Sequence, residues 1–275
     1  MTAALPLNDL HLGYRLNELA TSPYAPFYQP EMAELPAHVR EAIAVGPVAP
    51  EQLPGREHAA RLLDPGYQPL ETGYCLCPDG AARVYALTTM PGVTPAMWEW
   101  WFGWHGCDAQ RYKLWHPQSH VHAAWADGLP DDDRYIGRTS RVVEHIGSQR
   151  RRFSIRFIRP AEAGLDEARL AAQGEAAICA RAGLSGLPVD GSWMIHHLRP
   201  VPGGCEMRSR FWMSGDNLDL PFLPGAAGKA IGRALGYLVR PSAYDAACLL
   251  VHCAQEMNHL AARLPALYAA FGPGR

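Results

Sequence analysis

Hydrophobic positions change their period along the chain, and the changes divide it into three parts. Residues Ala82 to Met90, with the β-branched or aromatic Val84, Tyr85, Thr88 and Thr89, read as a strand. Thr94-Pro95 starts a helix, because threonine can cap and proline in the first turn sacrifices no hydrogen bond. That helix carries Met97, Trp98, Trp100, Trp101, Phe102 and Trp104, and it loosens at Gly103 and Gly106. Gln110 to Trp125 shows no clear period and reads as irregular. Two strands are expected between Arg134 and Ile158, turning at Gly147-Ser148, and a third near Glu175 to Ala182. A hairpin follows from Ser192 to Met213, with Pro202-Gly203-Gly204-Cys205 at its turn. The spacing then becomes helical over Ala226 to Leu238, and again from Ser242 to about Leu264. Ser242 with Asp245 has the pattern of a capping box. The order describes an α+β fold in which a curved antiparallel sheet grips one long C-terminal helix. A small ligand would sit between the two.

The first ninety residues differ. Pro23, Pro26, Pro30, Pro36, Pro47, Pro50, Pro54, Pro65 and Pro69 cut them into short pieces without a core of their own. The expected organisation is a proline-rich arm over 1–90 and a sheet-and-helix domain over 91–275. The arm should wrap another surface, and a homodimer partner is the expected one. Length and composition agree with one large domain or a domain plus extension: 275 residues, 48% hydrophobic and 19% charged. Net charge is −2, and the basic run Arg150-Arg151-Arg152 reads as a solvated strand end, so neither nucleic acid nor an anionic membrane is an expected partner. Met1 to Leu12 lacks the pattern of a secretory signal, and no apolar stretch approaches the roughly 20 residues that span a bilayer. Seven scattered cysteines read as free thiols, which points to the cytoplasm.

Several side chains could carry chemistry. His252 and Glu256, four apart on the long helix, share a face and can reach one ion, although exposed helix pairs have the same spacing. An imidazole and a carboxylate suit zinc, iron(II) or manganese. His259, one turn further, is a rival ligand expected nearer the helix's wet end. Strand alternation puts Glu144 on the face of Val142 and Ser140, with His145 opposite. A carboxylate between apolar neighbours needs a partner, unless it lies on an exposed edge. His116, His120 and His122 crowd one segment: an extended chain aligns His120 with His122, a helix aligns His116 with His120, and Pro117 argues against the helix. With Gly203-Gly204 as a two-residue turn, Pro202 faces Cys205 and His196 pairs with Phe211. His196 then reads either as a satisfied core histidine or as a general acid or base facing a cavity. No phosphate-binding loop, G-x-S-x-G elbow or dinucleotide fingerprint is present in the sequence.

Arg111-Tyr112-Lys113 through His120, the segment from Tyr135-Ile136-Gly137 to Glu144, the hairpin from His196 to Trp212, and His252 with Glu256 together resemble the diacetylphloroglucinol hydrolase and phloretin hydrolase family. The likeness spans roughly residues 95–260. It implies a helix-grip fold like that of the birch-pollen allergen, and a zinc-dependent hydrolase that cuts the C–C bond between a phenolic ring and an acyl group, as in an acylphloroglucinol. Carried over by position, the zinc ligands become His120, Glu144, His252 and Glu256. Tyr112 takes the place of a substrate-contacting tyrosine, and His196 that of the catalytic hairpin histidine. Two positions depart. The interval from His120 to Glu144 is short for the family, which keeps His116 open as a ligand. Phe211 stands where a tyrosine hydroxyl would meet the phenolic substrate, so the ring need not be a phloroglucinol. A non-catalytic carrier of an aromatic or polyketide ligand, and an iron(II) oxygenase, are the competing readings.

Overall fold

The computed structural model describes residues 13–14, 16–130 and 134–274. In chain order its helices are α1 (Leu16–Thr21), α2 (Ala37–Val45), α3 (Pro95–Trp104), α4 (Ala109–Trp115), α5 (Glu167–Gln173), α6 (Ala226–Leu238), α7 (Ala243–Ala261) and α8 (Leu264–Phe271). The strands are β1 (Gly73–Leu76), β2 (Ala82–Pro91), β3 (His120–Trp125), β4 (Thr139–Ile146), β5 (Gln149–Ile158), β6 (Ala176–Leu184), β7 (Ser192–Val201) and β8 (Gly204–Met213). They form one antiparallel sheet in the order β1-β2-β8-β7-β6-β5-β4-β3. Helix α7 lies against β1 and β2 and also meets β4, so the sheet curls around it. This is the helix-grip arrangement. Ser242 caps α7, accepting from the Asp245 N–H while Asp245 answers to the Ser242 backbone, as the pattern implied.

The register places side chains in rows across the concave face. Ser140, Ile155, Ala182, Ser192 and Met213 make one row. Phe157, Ala180, Met194 and Phe211 make the next. The β7–β8 register corrects the expected pairing: His196 faces Ser209, and Pro200 faces Cys205. Pro202-Gly203 is the turn, because proline supplies the negative φ of its first position and Gly203, at φ +82°, the positive φ of its second. Gly204 belongs to the strand, where a Cβ would lie 2.3 Å from the Met90 carbonyl oxygen. The shift is two residues, so every side chain keeps its expected face.

The division expected at residue 90 falls inside β2, which pairs with β8 along its whole length, and β1 joins the same sheet. The surface that the proline-rich segment wraps is this chain's own sheet. Leu53, Leu62 and Leu63 pack with Tyr85, Ile195 and Trp212 in a second core, separate from the concave one. Trp212 Nε1 donates to the Pro54 carbonyl at 3.1 Å, and Arg83 donates to Pro50 O at 3.0 Å. Glu71 binds Arg208 at 2.7 Å and also Arg210, pairing two buried guanidinium groups. The segment read as irregular holds α4 and β3.

Candidate metal centre and substrate cavity

Helix α4 ends at Trp115, because Pro117 pushes His116 out of the helical region, to φ −142° and ψ 84°. The chain turns there, with the His120 N–H donating to His116 O at 2.8 Å, and β3 starts at His120 opposite Glu144. His120 Nδ1 lies 2.9 Å from the Tyr112 carbonyl and donates to it, which leaves the Nε2 lone pair free. Its ring stacks on Tyr112 with centroids 3.7 Å apart and planes 3° from parallel. The Tyr112 hydroxyl donates to Glu144. Glu144 alternates with Ser140 and Val142 on the buried face of β4, and His252 and Glu256 share one face of α7, both buried.

These four side chains converge. His120 Nε2 lies 3.5 Å from Glu144 Oε2 and 3.3 Å from Glu256 Oε2. His252 Nε2 lies 3.7 Å and 3.6 Å from the same two oxygens. A tetrahedral zinc with bonds of about 2.0–2.1 Å spaces its ligand atoms roughly 3.3–3.4 Å apart. The spacing therefore fits a first-row divalent metal, and His120, Glu144 and His252 form a buried group able to hold one. Electrostatics agrees. Burial pushes the Glu144 carboxyl up to about 7 and, with the Glu144 charge added, Glu256 well above the usual carboxylate range. Burial also drives both imidazoles well below their ordinary value. No donor can carry its charge cheaply alone, and His120 Nε2 has no hydrogen-bond partner among the described residues. A cation of charge +2 would satisfy all four.

His116 stands beside this group: its ring stacks on His252 at 4.9 Å, and its nitrogens are not among the converging atoms. His122 is exposed beyond the irregularity that separates it from His120. His259 corrects the expectation of a wet helix end. It is fully buried, and the Ala33 N–H donates to its Nδ1 at 3.3 Å, because the proline-rich segment covers that end of α7.

The site opens into a cavity of ≈ 380 Å³ whose wall includes Tyr112, Glu144, His252 and Glu256. His196 and Phe211 line it, with rings 5.6 Å apart at 79°, and both are buried. His196 Nδ1 is 2.8 Å from Ser209 Oγ, and burial lowers its pKa to about 3, so it is neutral at pH 7. Phe102, Trp115, Phe153 and Phe157 supply aromatic wall. Sequence reasoning missed His105, which also lines the cavity, stacks on Trp101 at 5.1 Å and faces Tyr112 at 5.9 Å. The signal was its position four residues after Trp101, on one helical face.

The family model described as "DAPG hydrolase PhiG domain" matches residues 53–269. A 2,4-diacetylphloroglucinol hydrolase of Pseudomonas sp is 34% identical, covering 98% of this chain and 95% of that protein. A phloretin hydrolase of Eubacterium ramulus is 31% identical over 90% of this chain and 89% of its own. Among solved structures, ginseng major latex-like protein 151 (Panax ginseng) is 10% identical and covers 66% of this chain and 98% of its own, with a TM-score of 0.35. At that score the overlap adds nothing to the strand order and packing above, which define the fold. The family match and the nearly full-length relatives agree on one assignment: the chain belongs to the DAPG hydrolase PhiG domain family.

Proposed function

We propose that this chain is a zinc-dependent hydrolase that cleaves the C–C bond between a phenolic ring and an acyl group. The observation that carries the reading is the convergence of two imidazoles and two carboxylates, at 3.3–3.7 Å, on the wall of an aromatic cavity. Its named relatives, hydrolases of 2,4-diacetylphloroglucinol and phloretin, support the substrate class. His120, Glu144, His252 and Glu256 would hold the metal, which supplies Lewis acidity for the acyl carbonyl and the attacking water.

The remaining chemistry falls to the chain's own side chains. Breaking the bond requires the ring carbon to take a proton. His196, neutral and in the cavity wall, is the proposed proton carrier, with Ser209 fixing its ring. Tyr112 donates its proton to Glu144, so its oxygen is left to accept from a phenolic hydroxyl. Phe211 offers no hydrogen bond, and the substrate is therefore a ring with fewer or differently placed hydroxyls than a phloroglucinol. The aromatic wall excludes water and stacks on the ring.

The seven cysteines are free, which fits a reducing cytoplasm. No helix among the described residues is long and apolar enough to cross a membrane. A homodimer through the proline-rich segment completes the proposal: Val45 and Tyr67 remain exposed there, and sedimentation of the intact chain tests it. The test of function is hydrolysis of a series of acylphenols by zinc-loaded protein. Release of a free phenol and a carboxylic acid supports the hydrolase. Tight ligand binding without turnover supports the carrier.

A further inference from the structure

A second cavity, of ≈ 480 Å³, shares His252 in its wall with the substrate cavity. The two differ in chemistry. The first is walled mainly by aromatic and aliphatic side chains, with Arg151, Arg240 and Asp245 also in its lining. The second takes its polar groups from His116, Gln118 and Ser119 in the turn before β3, and from Tyr244 and Gln255 on α7, with Cys248 in the wall. Among the described residues, no lysine, arginine, aspartate or glutamate lines it. His116 is 3% exposed, and among the described residues Gln255 is the one side chain near enough to hydrogen-bond its ring, short of good geometry. Gln255 can serve one nitrogen of this buried ring at most, and leaving the other unpaired costs free energy unless something small and polar occupies the space it faces. Its ring stacks on His252 at 4.9 Å and lies 5.6 Å from His120, so that space adjoins the metal centre.

We propose that the second cavity binds and passes the small carboxylic acid released by hydrolysis, with His116 donating to it, while the phenol leaves through the aromatic cavity. The inference rests on the hydrolase reading above. That reaction consumes one water and gives two products of opposite character. Water oxygen bonds to the acyl carbon, the ring–acyl bond breaks, the ring carbon takes a proton, and the acyl group leaves as an acid. The lining selects among small species. A metal cation entering here would meet no carboxylate to offset its charge. A phenolic ring would leave the polar rim around His116 and Gln255 unpaired. An acid of a few heavy atoms can accept from His116 and the neighbouring amides. A route off the metal also keeps a carboxylate product from competing with the next ketone.

Cys248 lines the second cavity and not the first, and it is partly exposed, so its alkylation by iodoacetamide reports occupancy there. Modification of this one cysteine in the zinc-loaded protein is followed by peptide mass spectrometry, with sodium acetate as the probe and sodium chloride at equal ionic strength as the control. Acetate at ten times its dissociation constant should slow alkylation about tenfold. The protection should vanish in His116→Phe while zinc content is retained. If that variant does not fold, Gln255→Leu gives the same reading. Cys248→Trp, which fills the cavity from its wall, should lower kcat for an acetylphenol and leave KM unchanged. A Cys248 that the reagent cannot reach overturns the proposal. So does equal alkylation with and without acetate, protection that persists in His116→Phe, or wild-type kcat in Cys248→Trp. Failure of every acylphenol as a substrate would instead sink the hydrolase reading, whatever acetate does at Cys248.

Discussion

Tyr112→Phe removes one hydroxyl and leaves the ring that stacks on His120 at 3.7 Å. The hydroxyl's proton goes to Glu144, a carboxylate only 8% exposed in the cavity wall. A hydrogen bond to a charged acceptor contributes about 1.5–3 kcal/mol. At about 1.4 kcal/mol per tenfold, that is roughly 10–100-fold in zinc affinity. Loss of an orienting partner of a metal ligand typically falls in the same range. The sign with pH also follows. Tyr112 holds the Glu144 carboxyl down against burial, so its removal pushes that group further above about 7. Zinc needs the ionised form, and the affinity loss should be larger at pH 6 than at pH 8. The assay is competition for zinc against a fluorescent chelator at both pH values, with circular dichroism to check the fold. Affinity unchanged at pH 6 would refute the coupling between Tyr112 and the metal centre. A loss equal at both pH values would refute its route through Glu144.

If His196 is the proton carrier proposed above and not a ligand, His196→Ala should lower turnover about 10²–10⁴-fold with zinc content unchanged; near-wild-type turnover removes that role. Phe211→Tyr adds a donor where a ring hydroxyl would otherwise be left unpaired at about 1–3 kcal/mol, so relative kcat/KM should move towards phloroglucinol substrates; an unchanged ranking shows that this position does not read the ring. His105 and His196 are held at about 4 and about 3, below the unfolded value near 6.5. Their contribution is full above about 6.5 and is lost as pH falls towards the folded values, roughly 2 kcal/mol apiece between pH 7 and pH 5. Urea midpoints should drop accordingly over that interval, and less so in His105→Phe. A midpoint that is level from pH 7 to pH 5 contradicts the assignment.

What the chain showed in advance follows from how local each signal is. The helical spacing of His252 and Glu256 and the alternation of Ser140, Val142 and Glu144 are set within a few residues, and both reached the site as read. His116 against His120 was not decidable, because the choice depends on where the helix stops and the strand starts, and Pro117 constrains only its own neighbourhood. The structure ends α4 before His116 and starts β3 at His120. The hairpin faces were right and the pairing was wrong. Faces depend on parity, whereas the turn depended on how closely Gly204 approaches Met90, a contact made by another strand. Proline in the first ninety residues correctly signalled a wrap, but not what it covers, since the hydrophobic side of β8 had to be known as two-sided first. For the same reason His259 was misplaced, and the buried Glu71 pairs with Arg208 and Arg210 went unseen.

In the mechanism proposed here, hydrolysis depends on one metal held by His120, Glu144, His252 and Glu256. Protein stripped with chelator, then titrated with zinc while release of a carboxylic acid from an acylphenol is followed, tests it directly. The rate should start near zero, rise linearly and break at about one equivalent per chain, as a single four-ligand site requires. His252→Ala/Glu256→Ala should stay flat throughout. Full activity in the stripped protein, or a normal titration in the double variant, would rule out hydrolysis at this metal site.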